Sequence, residues 1–191
     1  MIAAREALGP NDALLLVDVQ KDFCPGGALE IMEGDQVVPV LNRWIGAARE
    51  CGIPIYASRD WHPRRHPSFR NQGGRWPAHC IQGTAGAEFH SDLALPDDVL
   101  AIAKGTRFDR DQLSAFDETG LAEQLARDGV QRLWVGGLAL DVCVRATVLE
   151  ALAAGFEVHV LVPGTRPVSE ANGALALREM DAVGAILEEA A

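Results

Sequence analysis

No apolar run in the sequence approaches the roughly 20 residues that a helix needs to cross a bilayer. The first residues also lack the charged segment and the apolar segment that together mark a signal peptide. We therefore expect a cytoplasmic protein without a membrane partner. Basic residues are few, 17 against 27 acidic residues, and the net charge of −10 argues against nucleic acid and anionic membranes as partners.

Two further patterns are missing, namely paired cysteines and glycine-rich nucleotide motifs. The four cysteines, at positions 24, 51, 80 and 143, contain no Cys-x-x-Cys pair. In a cytosolic chain we expect such thiols to be buried or catalytic rather than disulfide-bonded, with Cys51 in the core. No G-x-G-x-x-G or Walker pattern supports nucleotide binding.

Short apolar runs alternate with segments of helical periodicity along the 191 residues. The runs predict strands at 13–19, 53–58, 99–103, 132–138, 157–162 and 184–187. The periodic segments predict helices that begin near residues 35, 119, 142 and 169, with Asp35 and Ser169 as N-caps. This alternation predicts one domain, residues 1–191, of the α/β class. Its expected architecture is a three-layer α/β/α arrangement with a six-stranded, mostly parallel, doubly wound sheet.

Four reactive residues lie at or just after the carboxyl ends of the first four predicted strands. They are Asp18, Asp60, Lys104 and Cys143. Sheets of this kind gather their functional groups at the carboxyl ends of the strands, beside the point where the strand order reverses. The sequence therefore predicts a functional site at this edge.

The segment Arg59–His66 and the histidine that follows it suggest a metal site. Asp60, His62, His66 and His79 are suitable ligands for a divalent zinc, iron or manganese ion. The alternative is a polar surface loop with incidental histidines. Four of the five histidines lie between positions 62 and 90, which favours the metal site.

Cys143 lies where the fourth strand gives way to a helix. A helix N-terminus and a nearby Lys104 are expected to lower the pKa of its thiol. The backbone amides of Ala139 and Cys143 could then form an oxyanion hole, with Asp18 as the base. The alternatives are a buried, inert thiol and a structural ion pair between Asp18 and Lys104.

Several segments, in order, resemble the motifs of the nicotinamidase/pyrazinamidase enzymes of the isochorismatase-like hydrolase superfamily. They are Leu16 to Cys24, Asp60-Trp61-His62-Pro63, His66-Pro67-Ser68-Phe69, Trp76-Pro77-Ala78-His79-Cys80, Lys104-Gly105, Ser114-Ala115-Phe116 and Gly137 to Val144. The resemblance covers about residues 13 to 187 and implies the isochorismatase-like hydrolase fold. The Asp-Lys-Cys trio is shared across the superfamily, whereas the Asp/His/His/His set marks the nicotinamidase branch.

The resemblance implies a cysteine hydrolase that converts nicotinamide to nicotinate and ammonia, and pyrazinamide to pyrazinoate, in NAD salvage. Asp18 would be the base, Lys104 would stabilise the thiolate, and Cys143 would form a thioester. The Leu138–Ala139 peptide would be cis, and the oxyanion would bind the amides of Ala139 and Cys143.

The resemblance also implies one divalent metal ion that binds the pyridine nitrogen. We expect Zn²⁺, with Fe²⁺ or Mn²⁺ as alternatives, bound by Asp60, His62, His66 and His79. Phe23, Trp76 and Leu138 would contact the substrate, although Phe23 and Trp76 equally suit a plain core.

Two departures from the family pattern concern the range of substrates. Leu113 and Val142 stand where many relatives have larger, more polar side chains. Two other functions remain open, a metal-free isochorismatase-type or small-amide hydrolase, and an inactive metal-binding scaffold. The sequence leaves open whether the protein is a monomer or a homo-oligomer.

Overall fold

The computed structural model describes residues 4–97 and 99–189, and six strands in this part of the chain form one all-parallel sheet. The strands are β1 (Asp12–Val17), β2 (Ile55–Asp60), β3 (Leu100–Lys104), β4 (Arg132–Leu138), β5 (Glu157–Arg166) and β6 (Ile186–Glu188). Their order across the sheet is β3-β2-β1-β4-β5-β6. The predicted six-stranded parallel sheet is confirmed, and no strand is antiparallel among these six.

Helices cover both faces of this sheet. They are α1 (Ala4–Ala7), α2 (Val37–Cys51), α3 (Leu121–Arg127), α4 (Arg145–Ala153) and α5 (Glu170–Ala182). A π-helical turn, Leu140–Val144, precedes α4 where the sequence predicted regular helix. Within the described ranges, no helix is both long enough and apolar enough to span a membrane.

The two predicted caps differ in outcome. Ser169 does precede α5 in an extended conformation, but its side chain makes no capping hydrogen bond. Asp35 does not cap α2, because it lies inside a short 3-10 turn, Gly34–Gln36, and Gln36 is the residue that precedes the helix.

The central strand β1 is buried on both sides. Leu14 and Leu16 face α2, whereas Leu15 and Val17 face α3, α4 and α5, as the two-residue period of a strand requires. Every residue of β1 is buried, because helices cover both faces of a parallel sheet and keep solvent from its central strands. This explains why the first strand is an unbroken apolar run.

The strand order reverses between β1 and β4. The chain runs outward from β1 to β2 and β3, and then returns to place β4 on the other side of β1. Gly137 of β4 lies so close to β1 that a Cβ atom there would be 2.0 Å from the carbonyl oxygen of Val17. This close approach leaves the carboxyl ends of β1 and β4 side by side, where the fold places its site.

Candidate active site and metal centre

The side chains of Asp18, Lys104 and Cys143 meet at the carboxyl edge of the sheet, and we call them the thiol site. Lys104 Nζ lies 2.7 Å from Asp18 Oδ2 and 3.4 Å from Cys143 Sγ. Asp18 and Lys104 are fully buried, and Cys143 is 5% exposed. The structure thus brings together three residues that lie at separate strand ends in the sequence.

Each residue of the thiol site comes from a different element. Asp18 follows β1 with a φ of 50°, which turns the chain out of the strand. Its Oδ1 accepts a 2.7 Å hydrogen bond from Ser58 Oγ of β2. Lys104 is the last residue of β3, and Cys143 lies in the π-helical turn after β4. The hydroxyl and ammonium groups together fix the orientation of the Asp18 carboxylate.

Asp60 connects the thiol site to the histidines. Its Oδ1 lies 2.6 Å from Lys104 Nζ, because Asp60 and Lys104 are paired across β2 and β3. Its Oδ2 faces the other way, 3.5 Å from His62 Nε2 and 3.9 Å from His79 Nε2. One carboxylate therefore serves both groups, a role that the sequence did not reveal.

Buried Gln20 positions Asp60 through its main chain. Gln20 Nε2 donates to the Asp60 carbonyl oxygen at 2.8 Å, and the Asp60 amide donates to Gln20 Oε1 at 2.7 Å. Sequence reasoning assigned Gln20 no role, although it lies two residues after Asp18 in the opening motif. Its position inside that motif is the sequence feature that could have indicated a role for Gln20 in the site.

Backbone carbonyl groups orient two of the three histidine rings. His62 Nδ1 lies 2.9 Å from the Gly105 oxygen, and His79 Nδ1 lies 2.7 Å from the Pro77 oxygen. Because a carbonyl oxygen accepts hydrogen bonds, each Nδ1 is a donor, and Nε2 is the nitrogen of each ring that remains for a metal ion. Gly105 is required here, since its φ is +65° and a Cβ atom would lie 2.3 Å from the His62 ring.

The third histidine, His66, is also arranged as a ligand. Its Nδ1 lies 2.7 Å from Ser68 Oγ, and its ring packs against that of His62 with centroids 4.1 Å apart and planes tilted by 30°. The residue is fully buried, yet its Nε2 has no hydrogen-bond partner among residues 4–97 and 99–189. A buried nitrogen without a partner is costly unless something binds it, which a metal ion would do.

The ligand atoms suit a bound ion and form two overlapping groups. Those of Asp60, His62 and His79 lie within 4.8 Å of one another. Those of His62, His66 and Asp111 also lie within 4.8 Å of one another. Donors at about 2.0–2.2 Å from one ion lie about 3–4 Å apart, so the Asp60–His62 and Asp60–His79 separations fit. The predicted four residues therefore fit a metal ion, and Asp111 is an additional carboxylate beside them.

Burial raises the pKa of the Cys143 thiol well above its ordinary value, and the charge of Lys104 opposes this without reversing it. The expected lowering of the Cys143 pKa is therefore wrong. Burial likewise raises the pKa of Asp18, again against the effect of Lys104. Burial alone would lower the pKa of Lys104, but Asp18 and Asp60 raise it overall. Cys143 at rest is thus a thiol beside a basic carboxylate.

A cavity opens onto both the thiol site and the metal-binding residues. Its polar wall includes Cys143, Asp60, His62 and His79, while Ala139 lies beside the thiol. The Leu138–Ala139 peptide bond is cis, as the resemblance implied. A small molecule in this cavity would therefore touch the thiol and the metal-binding residues at once.

Of the three predicted substrate contacts, two line the cavity and one does not. Phe23 and half-buried Trp76 line the cavity, together with Leu113 and Val142. Leu138 does not line it among the described residues, because its side chain is fully buried in the core beneath α2. The expectation that Leu138 contacts substrate is thus not met by its side chain.

The remaining cysteines and histidines lie outside the cavity lining. Cys51 is exposed at the end of α2, so its expected place in the core is wrong. Cys24 and Cys80 are buried free thiols. His159 stacks on Trp134 with ring centroids 4.1 Å apart, as expected of a structural histidine.

A doubly wound parallel sheet with a buried cysteine, lysine and aspartate at its switch point defines a parallel α/β protein with a thiol site. The sequence model of the isochorismatase domain matches residues 12–191, and the chain belongs to the isochorismatase family.

Relatives within this family are similar over nearly their whole lengths. The chain is 39% identical to a nicotinamidase of Escherichia coli, over 93% of this chain and 94% of the relative. The structure of a Pyrococcus horikoshii pyrazinamidase in complex with zinc superposes with a TM-score of 0.91, at 44% identity, over 95% of this chain and 100% of that chain. PnC1 from L. infantum, in complex with nicotinate, superposes with a TM-score of 0.87 at 35% identity, over 93% and 92% of the two chains.

Proposed function

We propose that this protein is a metal-dependent nicotinamidase, which hydrolyses nicotinamide to nicotinate and ammonia and also accepts pyrazinamide. The observation that carries this proposal is that Cys143, His62 and His79 line one cavity. A pyridine carboxamide has an electrophilic carbon and a ring nitrogen that match the thiol and the metal-binding histidines. Relatives named nicotinamidase and pyrazinamidase support the assignment, and production of nicotinate would serve NAD salvage.

The first half of the reaction is acyl transfer to Cys143. Asp18 takes the proton from Sγ as the sulfur attacks the carboxamide carbon and a carbon–sulfur bond forms. The backbone amides of Ala139 and Cys143 stabilise the oxyanion. Asp18 then returns the proton to the leaving nitrogen, the carbon–nitrogen bond breaks, and ammonia departs from a thioester.

The second half is hydrolysis of the thioester. Asp18 removes a proton from water, the hydroxide oxygen attacks the same carbon, and the carbon–sulfur bond breaks. The proton returns to Sγ, which regenerates the thiol and releases nicotinate. Lys104 keeps its positive charge through both halves, because two buried carboxylates raise its pKa, and it stabilises each anionic form of Cys143.

Asp60, His62, His66 and His79 would bind one divalent metal ion, Zn²⁺ in the first instance, with Fe²⁺ or Mn²⁺ compatible with the same mixed N/O donors. When bound, the ion supplies a Lewis-acidic position for the ring nitrogen of the substrate. Phe23 and Trp76 would pack on the ring, while Leu113 and Val142 shape the rest of the cavity. These residues orient the carboxamide toward Cys143.

The alternative functions fit the site less well. A metal-free hydrolase leaves the buried His66 Nε2 without a partner among the described residues. An inactive scaffold has no need for Asp18, Lys104 and Cys143 within bonding distance of one another. We also propose that residues 1–191 form one domain, since the family match spans residues 12–191.

A substrate panel tests this function. Purified protein of known metal content is given nicotinamide, pyrazinamide, benzamide and isochorismate, and ammonia and acid products are measured. We expect equimolar ammonia and acid from the first two amides, and slower turnover of benzamide, which lacks the ring nitrogen. Turnover of isochorismate without turnover of nicotinamide would overturn the proposal, and so would inactivity of the metal-loaded protein on every substrate.

A further inference from the structure

The loop between β3 and α3 has four carboxylates, and three of them are paired on its outer side. Asp109 pairs with Arg107 at 2.7 Å, Asp117 pairs with Arg110 at 2.7 Å, and Glu118 pairs with both arginines. In the described part of the chain, the fourth carboxylate has no cationic partner. That residue is Asp111.

Asp111 instead faces the cavity and the histidines. It lines the same cavity as Cys143, and its carboxylate lies within 4.8 Å of the ligand atoms of His62 and His66. Its Oδ1 accepts a 3.0 Å hydrogen bond from the Gln112 amide. Oδ2 has no hydrogen bond within residues 4–97 and 99–189.

Hydrogen bonds within the loop between β3 and α3 hold Asp111 in this position. Buried Gln112 accepts a hydrogen bond from the Thr106 amide at 3.2 Å and donates one to the Asp117 carbonyl oxygen at 2.6 Å. These two bonds tie both ends of the loop together. The carboxylate of Asp111 is therefore preorganised, as a ligand must be.

His66 gives an independent indication that something binds here. Its side chain is fully buried, and its Nε2 is without a partner among the described residues. An imidazole nitrogen without a partner and a carboxylate oxygen whose ligand atoms lie within 4.8 Å of each other are a typical ligand pair for a divalent cation.

We propose that Asp111 is a further ligand of the metal ion, and that it binds the ion through Oδ2 beside His66. This inference rests on the proposed metal site and adds a fifth protein donor to it. With three imidazoles and two carboxylates, a six-coordinate ion has one position left for the ring nitrogen of the substrate. Asp111 also supplies negative charge where Asp60 is shared with Lys104.

This donor set has a consequence for metal preference. Zinc in proteins favours four ligands, whereas Mn²⁺ and Fe²⁺ accept six with mixed N and O donors. Removal of Asp111 should therefore weaken binding of Mn²⁺ more than binding of Zn²⁺. A carboxylate that contacts only the substrate would leave both affinities unchanged.

The test measures metal binding without substrate. Metal-free wild type, Asp111→Ala and Asp111→Asn are titrated with Zn²⁺, Mn²⁺ and Co²⁺ against a competing chelator, with Asp109→Asn as the matched control from the outer side of the loop. We expect both Asp111 variants to bind these ions about 10–100-fold more weakly than wild type, with the larger loss for Mn²⁺ and the smaller for Zn²⁺. The Asp109→Asn control should bind all three ions as wild type does. The visible absorption of the Co²⁺ protein should strengthen in Asp111→Ala, because it does so when the coordination number falls.

Asp111→Asn keeps the shape of the side chain and remains informative if Asp111→Ala fails to fold. Affinities within twofold of wild type in the folded variants would overturn the inference, including when the KM for nicotinamide rises. A wild-type protein that binds metal but leaves nicotinamide intact would sink the proposed function alone. A wild-type protein that binds none of the three ions would overturn the metal site and Asp111 with it.

Discussion

The ammonium group of Lys104 lies 2.6 Å from Oδ1 of Asp60, a residue whose other oxygen faces His62 and His79. Lys104 is also 2.7 Å from Asp18. One buried cation therefore neutralises the base of the thiol site and a ligand of the metal site together. An ion-pair network through Lys104 and Asp60 therefore connects the thiol site to the metal-binding histidines.

This network predicts a stability loss in Lys104→Met. The substitution leaves two buried carboxylates without their cation, which should lower the free energy of unfolding of the metal-free protein by about 3–5 kcal/mol. Urea denaturation measures it. Lys21→Met is the matched control, since the Lys21–Glu88 pair is on the surface and should contribute less than about 1 kcal/mol. Equal losses in the two variants would show that Lys104 is not the cation that stabilises this site.

The histidine geometry predicts that His62→Ala weakens metal binding by at least about 10–100-fold and raises the KM for nicotinamide. The reason is that its Nε2 faces Asp60 while Gly105 fixes the ring. Elemental analysis and chelator competition measure the change, with His90→Ala as the control outside the cavity. An unchanged metal stoichiometry and affinity in His62→Ala would refute the ligand assignment.

The raised pKa of Cys143 predicts how the resting thiol reacts. Only the thiolate is alkylated rapidly, so a pKa above the ordinary value means slow alkylation at neutral pH and a rate that still rises above pH 9. Iodoacetamide labelling of the metal-free protein across pH measures this, with peptide mapping to separate Cys143 from exposed Cys51. A rate that reaches its plateau at or below pH 7 would show that the thiolate is the resting form.

The parallel sheet and the convergence of reactive residues at its strand ends were predictable because the signal was local. The apolar run before Asp18 and the one before Cys143 each define a buried strand, and parallel strands bring their carboxyl ends to one edge. The histidine tautomers were not predictable, since they depend on carbonyl groups of Pro77 and Gly105 that only the folded loops bring near.

Three other features depend on how deeply a side chain is buried or on which way it points, and the sequence pattern contains neither kind of information. Burial decides the pKa of Cys143 and outweighs the local dipole that sequence position suggested. Leu138 turns into the core although Ala139, its neighbour, lines the cavity. Asp111 is one of several acidic residues in its loop, and the arginine pairs alone reveal which one is free to face inward.

Ammonia release from nicotinamide by Cys143→Ala, with metal content determined on the same sample, tests the covalent mechanism. The variant should lose activity by at least about 10³-fold while its metal content stays at the wild-type value, because Cys143 supplies the nucleophile and no metal ligand. A Cys143→Ala protein that keeps more than about a tenth of wild-type turnover would contradict the thioester route.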